Sequence, residues 1–398
     1  MLFEQMEPNE RFRERREAAR RRRKRRRAFA FGLLLGVTAT ATIGARFVID
    51  DESAALAGTE TPPVAKPAAK PVPVKQPRAL PDEVRGIHVT MALASLDGKL
   101  EEYLELVDEG MNTIQLDVKD ENGEIAFVPS AVPLATAVGA ARPYYRPREV
   151  AKMVHRKGVY LIGRVVTFED PRLSQGKPGL AIKNPDGSVW HNHAGLGWTN
   201  PYNKQVWDYN VSIAEVAARA GFDEIQFDYV RFPSDGDVDS IRYPGKTATP
   251  PGWVIAEFVH YASQRLKPLG VRVSADVFGL SATRDLGVAQ VPRRMAKYVD
   301  AIYPMVYPSH YGSGEYGLED PNASPGDTVE WSLADFRREL KKSKAQLIPW
   351  LQDFSYGRTY GFADVKEQID AARLMGARGY LLWNPSGVYT PGTLAPAS

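Results

Sequence analysis

From Val84 onward, short strand-like runs and helix-like runs alternate through eight strands, and few folds accept that rhythm. Strand candidates fall at residues 84–90, 113–119, 159–167, 224–230, 271–278, 301–307, 346–353 and 379–384. Helical periodicity fills the intervals at 96–109, 147–157, 204–220, 253–268, 291–298, 332–342 and 362–375. Several helical runs reach a glycine turn before the next strand, as at Gly110, Gly158, Gly221, Gly270 and Gly376. Eight such units over about 310 residues predict an α/β fold, a single (β/α)8 TIM barrel. A doubly wound open sheet is the rival. It would carry a glycine-rich phosphate loop after its first strand, and HVTMALAS (88–95) is not one.

Within these strands, polar residues collect at one end. Side chains alternate between faces along a strand. In GFDEIQFDYVRFP (221–233), Gln226 and Asp228 therefore share one face while Ile225 and Phe227 share the other. VRVSADVFG (271–279) repeats the design, with Ser274 and Asp276 set against Val273, Ala275 and Val277. Polar groups on the inner face of a core strand are costly unless a site uses them. In a barrel, that site lies where strands end and the following loops begin.

Those ends supply His88 and Thr90 from the first strand, then Gln115, Asp117 and Lys119 from the second. Arg164, Glu169 and Asp170 follow the third; Gln226, Asp228 and Arg231 the fourth; Asp276 the fifth. The sixth adds Tyr303, Tyr307 and His310, the seventh Trp350, Gln352 and Asp353, and the eighth Trp383 and Asn384. Two carboxylates at the ends of neighbouring strands suit acid/base or nucleophilic chemistry, most naturally on a sugar. Long segments at 170–201, containing WHNHAGLGW (190–198), and at 309–328 are expected to overhang the site. Exposed Trp and Tyr there would offer stacking platforms to sugar rings.

The head of the chain is built differently. RRRRKRRR (20–27) runs directly into an apolar stretch at 28–49, the positive-inside pattern of a signal or signal-anchor. The expected order is a basic cytoplasmic tail (1–27), a signal-anchor or transmembrane segment (28–49), a Pro/Ala/Lys-rich linker (50–83) and the barrel (84–398). The barrel would then stand outside the membrane; secretion after cleavage near Ala55-Leu56-Ala57 is the alternative. The net charge of +3 conceals this division. Residues 1–50 hold 13 Lys/Arg against 6 Asp/Glu, leaving the remainder with 38 against 42. A mildly acidic folded part argues against nucleic acid as a partner. With no cysteine in the chain, disulfides and thiolate chemistry are excluded.

Five stretches carry a resemblance: NTIQLDVKDENG (112–123), GFDEIQFDYVRFP, VSADVFG (273–279), AIYPMVYPSHY (301–311) and GYLLWNPSG (379–387). Together they resemble an uncharacterised bacterial family of glycoside-hydrolase domains, a distant relative of the α-amylase-type barrels. In α-amylase-type barrels the nucleophile is an Asp at the end of strand 4, where this chain has Asp228. Their acid/base is a Glu at the end of strand 5, where this chain has Asp276, and Gln226 replaces their Arg two residues before the nucleophile. The resemblance implies hydrolysis of O-glycosidic bonds, with retention, and supplies no substrate.

The expectation is a membrane-tethered glycoside hydrolase acting on a cell-envelope or extracellular polysaccharide. Asp228 would be its nucleophile and Asp276 its general acid/base, with His88, Asp117, Lys119, Arg164, Gln226, Arg231, Tyr303, Tyr307, His310, Trp350, Gln352, Asp353, Trp383 and Asn384 binding substrate. Plainer readings stand beside it. Asp228 could pair with Arg164 or Arg231, Asp276 could orient Asp228, and Asp117 with Lys119 could be a buried ion pair. Glu169 and Asp353 are substitutes for the acid. His191 and His193 lack a defined third ligand and no G-x-S-x-G elbow occurs, so neither metal nor other cofactor is expected. The alternative from another class is a barrel that binds carbohydrate without turnover, kept open by the shortened acid on strand 5. A wall scaffold explains the gathered polar strand ends poorly.

Overall fold

The computed structural model describes residues 76–397. The tail, the apolar segment and most of the linker expected before the barrel lie outside the described residues. Among the described residues no helix is long and apolar enough to cross a membrane.

One parallel sheet forms the centre. Its strands are β1 (Val84–Val89), β2 (Thr113–Lys119), β3 (Tyr160–Val166), β4 (Glu224–Asp228), β5 (Arg272–Phe278), β6 (Ala301–Val306), β7 (Gln346–Leu347), β8 (Trp350–Gln352) and β9 (Gly379–Trp383). Their order is β5-β4-β3-β2-β1-β9-β8-β6-β7, and the pairing of β5 with β6 closes the ring. β7 and β8 are two halves of one stave, both paired with β6. The break falls at Ile348 and Pro349, where proline has no N–H to give the ladder. The closed barrel therefore has the eight staves expected.

Helices α1 (Lys99–Glu105), α2 (Pro147–Arg156), α3 (Lys204–Ala220), α4 (Pro251–Leu266), α5 (Pro292–Met295), α6 (Pro325–Leu340) and α7 (Phe362–Leu374) alternate with the staves. Four of them open on proline, whose fixed φ suits the first helical position and whose missing N–H would have had no partner there. This explains why α6 starts seven residues before the expected Ser332: a Pro-Gly pair that reads as a turn is here a helix start. α3 opens on Asn203, whose side chain accepts from the Gln205 N–H at 2.9 Å, and closes on Gly221 at φ 115°.

Two apolar layers separate cleanly. The larger fills the space between staves and helices, with Ile87, Leu116, Val165, Phe227, Val277 and Leu382 facing outward. The smaller lies inside the ring and includes Val84, Tyr160, Ile162, Tyr303, Trp350 and Leu381. Gly86 faces this interior too: a Cβ there would collide with a Leu381 methyl. β4 is shorter than the expected 224–230 because Tyr229 turns to φ 48°, a conformation uncommon for a bulky residue. That turn aims the Tyr229 N–H at Asp228 Oδ1, 2.6 Å away.

Candidate active site

Register assembles the site. Asp117 on β2 pairs with Arg164 on β3, and Arg164 pairs with Gln226 on β4, one inward position before Asp228. The Arg164 side chain thus sits between two acidic neighbours. Its Nε and Nη2 donate to Asp228 Oδ2 at 3.0 and 2.8 Å, and its Nη1 donates to Asp117 Oδ1 at 2.8 Å. Glu121, on the loop after β2, accepts from the same Nη1 at 3.3 Å. All three of Asp117, Arg164 and Asp228 are buried, so each charge depends on the others for compensation. Burial lifts the Asp117 carboxyl to about 6, against the opposing pull of Arg164.

Asp276 occupies the next strand and a different environment. It is 1% exposed, and Oδ1 accepts from the Trp350 indole N–H at 2.7 Å. Burial, then the nearby Asp228 carboxylate, raise its proton affinity well above the ordinary carboxyl range. Tyr307 lies close to the same pair: burial first, then Asp276 and Asp228, push its hydroxyl well up.

His88 completes the floor. Its ring stacks on Trp383 at 4.5 Å and meets Trp350 edge-on at 6.4 Å. Its Nδ1 donates to Gln115 Oε1 at 2.5 Å, and Gln115 Nε2 in turn donates to Gln226 Oε1. This chain leaves one buried atom without a hydrogen-bond partner at each end, His88 Nε2 and Gln226 Nε2. His88 Nε2 faces Asp117 Oδ2 at 3.7 Å. Burial and Arg164 drive the imidazole down to about 3, so it is neutral. Tyr389, from the C-terminal segment, clamps the strand by donating its hydroxyl to the His88 carbonyl.

His88, Asp117, Arg164, Gln226, Asp228, Asp276, Tyr307, Trp350 and Trp383 therefore converge. Other expected members do not. The register slips between Asp117 and Lys119, which takes Lys119 off the inward face. Its ammonium is fully buried against Asp170 Oδ2 (2.7 Å), the Val166 carbonyl (2.7 Å) and Asn210 of α3 (3.0 Å). Gln352 is fully buried and ties loops together, Asp353 accepts from Thr390 N at 2.8 Å and Thr390 Oγ1 at 2.5 Å, and Asn384 donates to the Asp353 carbonyl. Tyr303 lies among the apolar interior residues, and His310 stands exposed on the rim. Arg231 is enclosed by the Trp198, Tyr229 and Phe278 rings, with its guanidinium carbon 4.7–5.0 Å from their centroids.

The overhanging loop also differs from expectation. Trp190 and Trp198 are 1% and 0% exposed, so they pack the loop instead of presenting platforms. His193 Nδ1 accepts from the Gly236 N–H at 3.2 Å, joining this loop to the one after β4. Glu169 is buried there, accepting from Asn192 at 3.0 Å; burial raises its carboxyl to about 8. Sequence reasoning missed Glu121, signalled only by the acidic run Asp120-Glu121 at the end of β2.

No curated protein matches this chain. Among solved structures, a hypothetical protein from Ruminiclostridium thermocellum ATCC 27405 is 36% identical, covering 48% of this chain and 97% of its own, with a TM-score of 0.44. The PgaB (BpsB) glycoside hydrolase domain from Bordetella bronchiseptica is 16% identical, covers 77% of this chain and 95% of its own, and superposes with a TM-score of 0.55. An exo β-N-acetylglucosaminidase from Vibrio harveyi, 14% identical, covers 80% and 54% with a TM-score of 0.52. These last two likenesses are of fold. Residues 86–389, most of the barrel, match the family described as "Putative glycosyl hydrolase domain", and the chain belongs to that family.

Proposed function

We propose that the barrel cleaves O-glycosidic bonds by a retaining two-carboxylate mechanism, with Asp228 as nucleophile and Asp276 as general acid/base. The observation that carries this reading is the unequal setting of two inward carboxyls one strand apart. Asp228 accepts two N–H bonds from Arg164, while Asp276 has one neutral indole donor and a proton affinity raised well above the usual range. A carboxyl whose proton affinity is raised, beside one held by an arginine, divides acid from base. In the first step Asp228 attacks the anomeric carbon and Asp276 gives its proton to the departing oxygen. In the second, Asp276 takes a proton from water, which displaces Asp228 from the sugar. Arg164 holds Asp228 in place and stabilises its charge on departure. Neutral His88 and Gln226 present an acceptor and a donor for sugar hydroxyls once the substrate shifts the side chains that cover them.

The proposed substrate is a cell-envelope or extracellular polysaccharide, with the barrel held outside the membrane by the apolar run behind the basic block. Reducing-end release by the full-length chain from α-glucans, aminosugar polymers and wall glycans tests the reading. Release by wild type, lost in Asp228→Asn by about 10³-fold or more, is the expected result. Equal release by both would remove Asp228 from the chemistry, and binding without release by either would favour the carbohydrate-binding barrel.

A further inference from the structure

Three aromatic rings outside the nine convergent residues, His310, Phe354 and Tyr356, continue outward from Tyr307, which is one of the nine. Tyr307 leaves β6 packed, with Trp383, against the apolar interior of the barrel. From it the rings lead outward. His310 lies 5.6 Å and Phe354 5.8 Å from Tyr307 between centroids, and Tyr356 lies 6.0 Å from His310. His310 is exposed, Phe354 is half-buried and Tyr356 is 37% exposed.

These loops are held firmly from below. Gln352 Oε1 accepts from both Ser309 N (3.1 Å) and Ser309 Oγ (2.8 Å), and Gln352 Nε2 donates to the Phe354 carbonyl at 2.9 Å. One buried amide thus bolts the loop after β6 to the loop after β8. Asn322 Nδ2 fixes the outer end by donating to the Tyr356 carbonyl at 2.9 Å. A ridge fixed in advance lowers the entropy lost when a ligand lies along it.

We infer that Tyr307, His310, Phe354 and Tyr356 form an outer subsite for further sugar units of the chain being cleaved. The enzyme's substrate is then an oligosaccharide or polymer, and a disaccharide fills only part of the site. The occupant is assigned from continuity: the ridge begins at Tyr307, one residue past β6, the strand that pairs with Asp276's own strand, and ring faces match the apolar C–H faces of sugars. This rests on the mouth being a sugar site, as proposed above.

The test is binding to the full-length chain carrying Asp228→Asn, read by titration calorimetry. The probes are hexasaccharides of α-1,4-linked glucose, β-1,4-linked N-acetylglucosamine and β-1,4-linked glucosamine, each beside its disaccharide. At least one hexasaccharide is expected to bind about 10-fold or more tightly than its disaccharide. Phe354→Ala with Tyr356→Ala should abolish that advantage and leave disaccharide affinity unchanged, while Tyr356→Phe should keep it. Equal affinity for both lengths, an advantage that survives loss of both rings, or no hexasaccharide binding at all overturns the subsite. Length-dependent binding together with undiminished hydrolysis by Asp228→Asn would sink the nucleophile assignment and leave the subsite standing.

Discussion

At the scale of single residues, a buried side chain's role depends on which hydrogen bonds it already makes. Gln115 shows this best. Its amide accepts from His88 Nδ1 and donates to Gln226, which leaves His88 Nε2 as a bare acceptor. Gln115→Glu would put a carboxylate against Nδ1–H, and a negative neighbour favours the imidazolium. The His88 ring, held down at about 3 by burial and Arg164, should then titrate at higher pH. Following the His88 C2 proton by NMR checks this; an unmoved titration would mean that Gln115 does not govern the ring. The polar strand ends were legible residue by residue, because alternation tells which side chains face inward. Whether an inward amide was free for substrate was not legible. Gln352 and Asn384 look identical in sequence to site residues, and only loop partners distant in the chain reveal that both are occupied.

Among elements, the informative departure is β2. Strict alternation puts Gln115, Asp117 and Lys119 on one face, and the slip after Asp117 sends Lys119 towards α3. A single extra residue in a ladder reverses the facing of every later side chain in the strand, and nothing local in TIQLDVK marks it. Lys119 thereby joins Asp170 in a fully buried ion pair that docks the start of the β3 loop onto α3. Lys119→Met leaves the Asp170 carboxylate buried without its counter-charge, which should cost about 3–5 kcal/mol in urea unfolding. Replacing both, as Lys119→Met with Asp170→Leu, should recover most of that loss. A full loss in the double variant would show that the Asp170 cap on the short helix Pro171–Gly176 matters more than the charge pair, since Asp170 also accepts from the Leu173 N–H at 2.8 Å.

For the whole molecule, the eightfold alternation made the barrel plain, because a parallel stave buried on both faces and a helix behind it leave distinct periodicities. The long loops were less legible: Trp190 and Trp198 read as exposed because the segment around them is polar, yet the loops after β3 and β4 fold together and bury both. That same overhang sets a pH dependence. The Glu169 carboxyl sits at about 8 in the folded chain against 4.5 ordinarily, so the folded state holds the proton more tightly. Its contribution is complete below about pH 4.5 and is lost as pH rises through about 8. Asp276, also raised, acts in the same direction. Thermal melts from pH 5 to 8 should therefore show wild type losing stability relative to Glu169→Gln, and parallel curves would place the Glu169 carboxyl in the ordinary range.

The division of roles between Asp228 and Asp276, nucleophile and acid, meets its most direct test in trapping. The full-length chain carrying Asp276→Ala, given a dinitrophenyl glycoside of whichever sugar the wild type releases, should form the glycosyl ester and then stall for want of a base. Peptide mass mapping after an acid quench is expected to find the sugar on Asp228. A sugar on Glu121 or Glu169, or product released with inverted anomeric configuration and no adduct, would contradict the assignment.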